Sequence, residues 1–215
     1  MNGEISILDI RGIRVSYADL EVLNGFSMQL RRGEMVCVTG ASGSGKSSLL
    51  RAILGFVPLS AGNVFVDGIE VRSGGFSTLR HRVAYLPQDL FFPCEWVEEI
   101  LKLPFSITCN KGRKVTKEMW SAAFKRLGLD DDIMEKRMNE ISGGQRQRVM
   151  LAVVDMLDKD IVLLDEPTSA LDADSAKRVV EFIKYMSARG KGVIVVTHDS
   201  TLMTMCDRKV EISLI

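Results

Sequence analysis

The residues with the strongest chemical claim run in series as Gly40-Ala41-Ser42-Gly43-Ser44-Gly45-Lys46-Ser47, a G-x-x-x-x-G-K-[ST] pattern. Glycines at this density let the backbone curl until successive N–H groups face one point, an arrangement suited to the oxygens of a phosphate chain. Lys46 would neutralise β- and γ-phosphates, the Ser47 hydroxyl is a ligand for Mg²⁺, and Ser48 reaches an α-phosphate from the first helical turn. A magnesium-bound nucleotide also needs a carboxylate at a strand end, and Asp165 directly follows the apolar run Ile161 to Leu164. Asp165 is expected to hold the metal through water. Glu166 comes next, where a carboxylate can orient and deprotonate an attacking water, so it is the expected general base. The implied chemistry is hydrolysis of a phosphoanhydride in a magnesium nucleotide.

These groups work only if the chain delivers them to one place. Glu34 to Thr39 is an apolar, β-branched run ahead of the glycines, and helix formers take over from Ser47 to Leu54, giving strand, phosphate loop and helix. Ile161 to Leu164 and Val193 to Val196 are wholly apolar, the composition of parallel strands buried on both faces. Between them Val179, Val180, Phe182, Ile183 and Met186 put one apolar face on a helix. Val83 to Leu86 reads as a further short strand ending at Pro87. Alternation over Ile13 to Tyr17 and at Phe26, Met28 and Leu30, around the turn signal Asn24-Gly25, predicts antiparallel strands at the N-terminus. Asp67-Gly68 between Val66 and Ile69 predicts a two-residue hairpin. From Glu95 to Asn139, Trp96, Ile100, Leu103, Trp120, Phe124 and Leu127 recur at helical spacing, which predicts an inserted helical segment.

Composition narrows the class. A chain of 215 residues, 46% of them apolar, can bury a substantial core, and one domain over 1–215 is expected. Its parts are a nucleotide-binding core at about 1–87 and 145–215 and a helical subdomain at about 88–144. Lys and Arg total 28 and so do Asp and Glu, so no positive field invites nucleic acid. Cys37, Cys94, Cys109 and Cys206 form no CxxC pair, which points to unpaired thiols in a reducing compartment. The first ten residues do not read as a signal peptide, and no apolar run is long enough to span a membrane. A cytoplasmic chain is expected.

Ile141-Ser142-Gly143-Gly144-Gln145 narrows the reading further, because it resembles the LSGGQ signature of ABC ATPases with only Ile in place of Leu. Phosphate loop, Gln88, signature, Asp165-Glu166, Ser169-Ala170-Leu171-Asp172 and His198 also occur in that family's order. The resemblance covers essentially the whole chain and implies an α/β fold: a P-loop NTPase core with parallel sheet, an N-terminal antiparallel β subdomain and an inserted α-helical subdomain. It implies a head-to-tail homodimer or heterodimer with ATP and Mg²⁺ between the phosphate loop of one subunit and the signature of the other. Ser142 and Gly144 would then grip the γ-phosphate in trans, with Gly143 and Gln145 beside them in the nucleotide site, from a helix that continues through Arg146 to Leu157. Gln88 would sense Mg²⁺ and the nucleophilic water, His198 would contact the γ-phosphate, and Asp172 would couple the two sites. Tyr17, 23 residues before Gly40, stands where the family carries an aromatic that stacks on adenine.

The resemblance also implies an integral membrane permease as partner, hence a peripheral position on the inner face of the membrane. Phe91, Phe92 and Trp96, beside Gln88, suit a groove for a short permease helix. The rival class is a non-transport ABC ATPase acting in translation or DNA repair. Such proteins usually carry tandem cassettes or a long coiled coil, and this chain has one cassette and a short insertion. A kinase or GTPase sharing only the phosphate loop leaves the signature unexplained.

Overall fold

Short apolar runs that would overfill one face of a helix become the buried strands of this molecule. In the computed structural model, which describes residues 6–18, 20–71 and 76–213, five strands form a parallel sheet. Its order is β6 (Val83–Leu86), β7 (Ile161–Asp165), β8 (Gly192–Val196), β3 (Met35–Thr39), β9 (Arg208–Glu211). Every residue of β7 and β8 is buried, as their composition predicts. Asp165 pairs with Val196 and Val38 pairs with Val196 from the other side, so the carboxyl ends of β7, β8 and β3 lie level. That edge is where open α/β sheets bind ligands.

The second sheet is antiparallel, in the order β2 (Leu20–Leu30), β1 (Leu8–Tyr17), β4 (Ala61–Val66), β5 (Ile69–Glu70). The Asp67-Gly68 hairpin forms as predicted, with φ of 48° and 76° at its two central residues. The Asn24-Gly25 turn does not form. Ile13 pairs with Phe26 and Val15 with Leu23, so Asn24 and Gly25 together oppose Arg14 as a bulge inside β2. Gly25 has the same left-handed φ, 68°, that a turn would have used. The chain reverses instead between the paired residues Tyr17 and Leu20, through Ala18 at φ 51°.

One face of the parallel sheet packs on the antiparallel sheet and on α1 (Lys46–Ile53), burying Leu8, Ile10, Val36, Leu49, Leu163 and Ile194 together. The other face packs on α5 (Gly143–Met156) and α6 (Ala173–Ala188), and that cluster continues into the 95–139 segment. There α3 (Val97–Ser106) and α4 (Lys117–Leu127) bury Ile100, Trp120, Phe124 and Leu127. Leu103 points outward, and Trp96 caps the start of α3 instead of joining it, with the Arg137 guanidinium 4.8 Å from its ring centroid. Three elements went unread in the sequence: α2 (Phe76–Arg82), α7 (Ser200–Met205) and β9. All four cysteines are free thiols.

Candidate functional site

Between β3 and α1 the loop owes its shape to glycine and to its own lysine. Gly45 has φ 95°, and a Cβ there would come 2.7 Å from Val22 Cγ1 and 2.9 Å from Val22 O, so only glycine lets β2 approach. The backbone N–H of Ser44 turns back onto the Ala41 carbonyl at 3.1 Å. Lys46 is buried, and its ammonium donates to the carbonyls of Gly40 at 2.9 Å and Ala41 at 2.8 Å. An ammonium carries three protons, so one remains for a phosphate oxygen. No side chain caps α1, which leaves its first N–H groups and the positive end of its dipole facing the loop.

Asp165 ends β7 with only 3% of its surface exposed. Its Oδ1 has no hydrogen-bond partner among the described residues, while the Ser47 side chain is near enough to the same carboxylate to favour its charged form. Burial pushes the Asp165 carboxyl up from the ordinary range, against the pull of Ser47, Arg51 and Lys46. A buried, unpartnered carboxylate oxygen beside a serine hydroxyl is a donor set that fits Mg²⁺ and its water.

Glu166 stands at φ 48°, a left-handed backbone that costs a residue with a Cβ about 1–2 kcal/mol. Several bonds hold it there. Its N–H donates to Val196 O at 2.9 Å, and its carbonyl accepts from Ser169 N at 3.3 Å, Ser169 Oγ at 3.0 Å and Gln147 Nε2 at 3.1 Å. The carboxylate accepts from the backbone N–H of His198 at 3.3 Å, and His198 Nε2 lies 3.6 Å from Oε1. The strained backbone thus sets the carboxylate beside His198, where it lines the same cleft as the phosphate loop.

A cleft of about 500 Å³ brings most of the predicted residues together: Ser42, Gly43, Gly45, Lys46, Ser47, Ser48, Gln88, Asp165, Glu166 and His198 line it, with Val22 and Val196. Gly40 and Ala41 stand behind it as acceptors for Lys46, and Ser44 is buried with its hydroxyl unpartnered among the described residues. Tyr17 sits at the rim, half-exposed, its hydroxyl 3.4 Å from Ser48 Oγ.

Besides Gly40, Ala41, Ser44 and Tyr17, five predicted residues lie outside the cleft lining. Ser142 and Gln145 cap α5 reciprocally: Gln145 N donates to Ser142 Oγ at 3.1 Å and Ser142 N to Gln145 Oε1 at 2.8 Å. Gly143 and Gly144 form the first turn of that helix, away from the cleft. Asp172 caps α6, accepting from Ser175 N at 2.9 Å, and that backbone bond holds its carboxyl below the usual range. Gln147 and Val22 were not read from the sequence: a glutamine between two arginines in a polar first stretch of helix and a valine on a distant strand carry no local signal.

The chain is similar to known proteins in sequence and in fold. A family model described as "ABC transporter" matches residues 23–169, and one described as "AAA domain, putative AbiEii toxin, Type IV TA system" matches residues 140–204. The manganese transport system ATP-binding protein MntB of Bacillus subtilis is 30% identical over 198 residues, covering 89% of this chain and 77% of that protein. The macrolide export ATP-binding/permease protein MacB of Nitrosomonas europaea is 34% identical over 222 residues, but this chain spans only 32% of its length. Among solved structures, the dimeric bacterial ABC transporter cassette MJ0796 superposes with a TM-score of 0.85 at 25% identity, covering 96% of this chain and 94% of that one.

Proposed function

The chain belongs to the ABC transporter family, and from that premise we propose that it is an ATP-hydrolysing cassette that dimerises around two ATP molecules and powers a membrane permease. One observation carries the dimeric reading: Lys46, Ser47, Asp165 and Glu166 share a cleft, while the signature end of α5 lies outside it. Each chain then holds two complementary halves of a site, and a second chain is needed to join them.

Lys46 and the loop N–H groups bind the β- and γ-phosphates, and Tyr17 offers its ring to adenine. Ser47, Asp165 and Gln88 hold Mg²⁺, which supplies charge neutralisation on the phosphate oxygens. Glu166 accepts the proton of the attacking water, with His198 beside it to contact the γ-phosphate. Ser142, Gly143, Gly144 and Gln145 of the second cassette close over the same phosphate, and Asp172 joins the two sites across the interface. Gln88 begins the 88–144 helical segment, so loss of the γ-phosphate lets that segment turn against the core.

The segment after Gln88 leaves Phe91 88% exposed, while Phe92 packs partly on the helical core and Trp96 stays partly open. Phe91 and Trp96 are the aromatic anchors offered to a permease helix, which would hold the cassette at the inner face of the membrane. Among the described residues no helix is long and apolar enough to cross a membrane.

Glu166→Gln keeps the shape of the base and removes its proton affinity. Turnover should fall by about 10²–10⁴-fold while ATP binding persists and size-exclusion chromatography shows a trapped dimer. Normal turnover in that variant removes Glu166 as the base. The wild-type chain should co-purify with an integral membrane protein; purification only with ribosomes or DNA would defeat the transport reading.

A further inference from the structure

We propose that Gln147 is a positioning residue for Glu166 and makes the setting of that base depend on the signature helix, a role that rests on the functional reading above. Gln147 lies on α5 just past the Ser142–Gln145 capping box, with 4% of its surface exposed. Its Nε2 donates to the Glu166 carbonyl at 3.1 Å. It does not line the cleft, so it reaches the nucleotide only through Glu166.

The held carbonyl belongs to a glutamate at φ 48°, and such a backbone persists only where its surroundings over-determine it. Three attachments do so. Val196 holds the Glu166 N–H from β8, Ser169 holds the carbonyl from the following loop, and Gln147 holds the same carbonyl from α5. Only the last comes from the element that carries the signature. A second contact runs parallel to it: Gly144 packs so closely that a Cβ on it would lie 3.0 Å from Leu171 Cδ2, in the loop that follows Glu166.

The consequence concerns two different nucleotides. Ser142–Gln145 meet the nucleotide held by the partner cassette, whereas Glu166 acts on the one held by its own. Gln147 therefore connects one site's γ-phosphate grip to the other site's base within a single chain. The bond already stands in the single chain, so a shift of α5 as it meets the partner's nucleotide is passed to the Glu166 peptide, and a general base works only within hydrogen-bond reach of its water.

Gln147→Met keeps the volume and removes the donor, so a packing role and a positioning role give different results. Wild type and variant are compared by thermal melting, by ATP affinity of the isolated chain, by ATP-driven dimerisation and by kcat and KM. The expected kcat loss is about tenfold, the scale of one buried hydrogen bond, with KM, affinity and dimerisation within about twofold of wild type. The rise in turnover per chain as protein concentration drives dimerisation should also flatten in the variant. Unchanged kcat would overturn the assignment, and so would a kcat loss matched by lost dimerisation or a lowered melting point, since that marks a packing residue. Absence of ATP hydrolysis by the wild type would instead remove the functional reading, and the role of Gln147 with it.

Discussion

Asp165→Asn is expected to stabilise the nucleotide-free chain while it disables the enzyme. In the free protein the Asp165 carboxylate is buried, its Oδ1 has no partner among the described residues, and burial raises its proton affinity. The folded state therefore binds this proton more tightly than the unfolded state. Stability is fullest below the ordinary carboxylate range, falls as pH rises through the raised folded value, and stays reduced at neutral pH. A buried group left without its partner costs about 1–3 kcal/mol, and the Ser47 hydroxyl with the Lys46 and Arg51 charges returns part of that, leaving about 1 kcal/mol. In a chain of this size 1 kcal/mol moves the melting temperature by about 2–4 °C. Thermal unfolding at neutral pH in a chelator should thus place the variant above wild type, and magnesium with ATP should reverse the order. Turnover should drop by about 10- to 100-fold, the usual cost of losing a group that orients a metal's bound water. A variant less stable than wild type in chelator would refute the idea that Asp165 is kept strained for a metal.

Three more substitutions test other parts of the same structure. Lys46→Ala removes an ammonium that shapes the loop and is proposed to meet phosphate, so ATP affinity by equilibrium dialysis should weaken about 10- to 100-fold; unchanged affinity would show the loop assignment to be wrong. Ser142→Ala loses the cap of α5, about 1 kcal/mol of stability by urea unfolding, and should impair ATP-driven dimerisation without altering ATP affinity of the single chain. Gly62→Ala tests the antiparallel sheet: at φ 77° its Cβ would lie 2.3 Å from the Gly12 carbonyl oxygen, and about 2–4 kcal/mol should be lost. Parental stability in that variant would mean the β1–β4 contact is not as close as described.

What could be read from the sequence was what sits close together along the chain. The phosphate loop is contiguous and flanked by its own strand and helix, and Asp165-Glu166 follow the run that buries them, so the cleft was legible down to individual residues. Asn24-Gly25 shows the limit of local signals. A left-handed glycine serves a hairpin turn and a bulge equally, and only the pairing of Ile13 with Phe26 and Val15 with Leu23 decides between them. β9 escaped because an edge strand of Arg208–Glu211, with three of its four residues exposed, carries no apolar alternation. Gln147 escaped for a different reason. Its partner is a backbone carbonyl 19 residues on, reached only once α5 has packed against the end of β7, and no residue type announces such a bond. Groups that touch substrate tend to be displayed by local motifs, whereas groups that make one site answer to another are defined by packing. On the proposed function the first kind gathers around Lys46 and Glu166, and the second is where α5 meets the residue that follows β7.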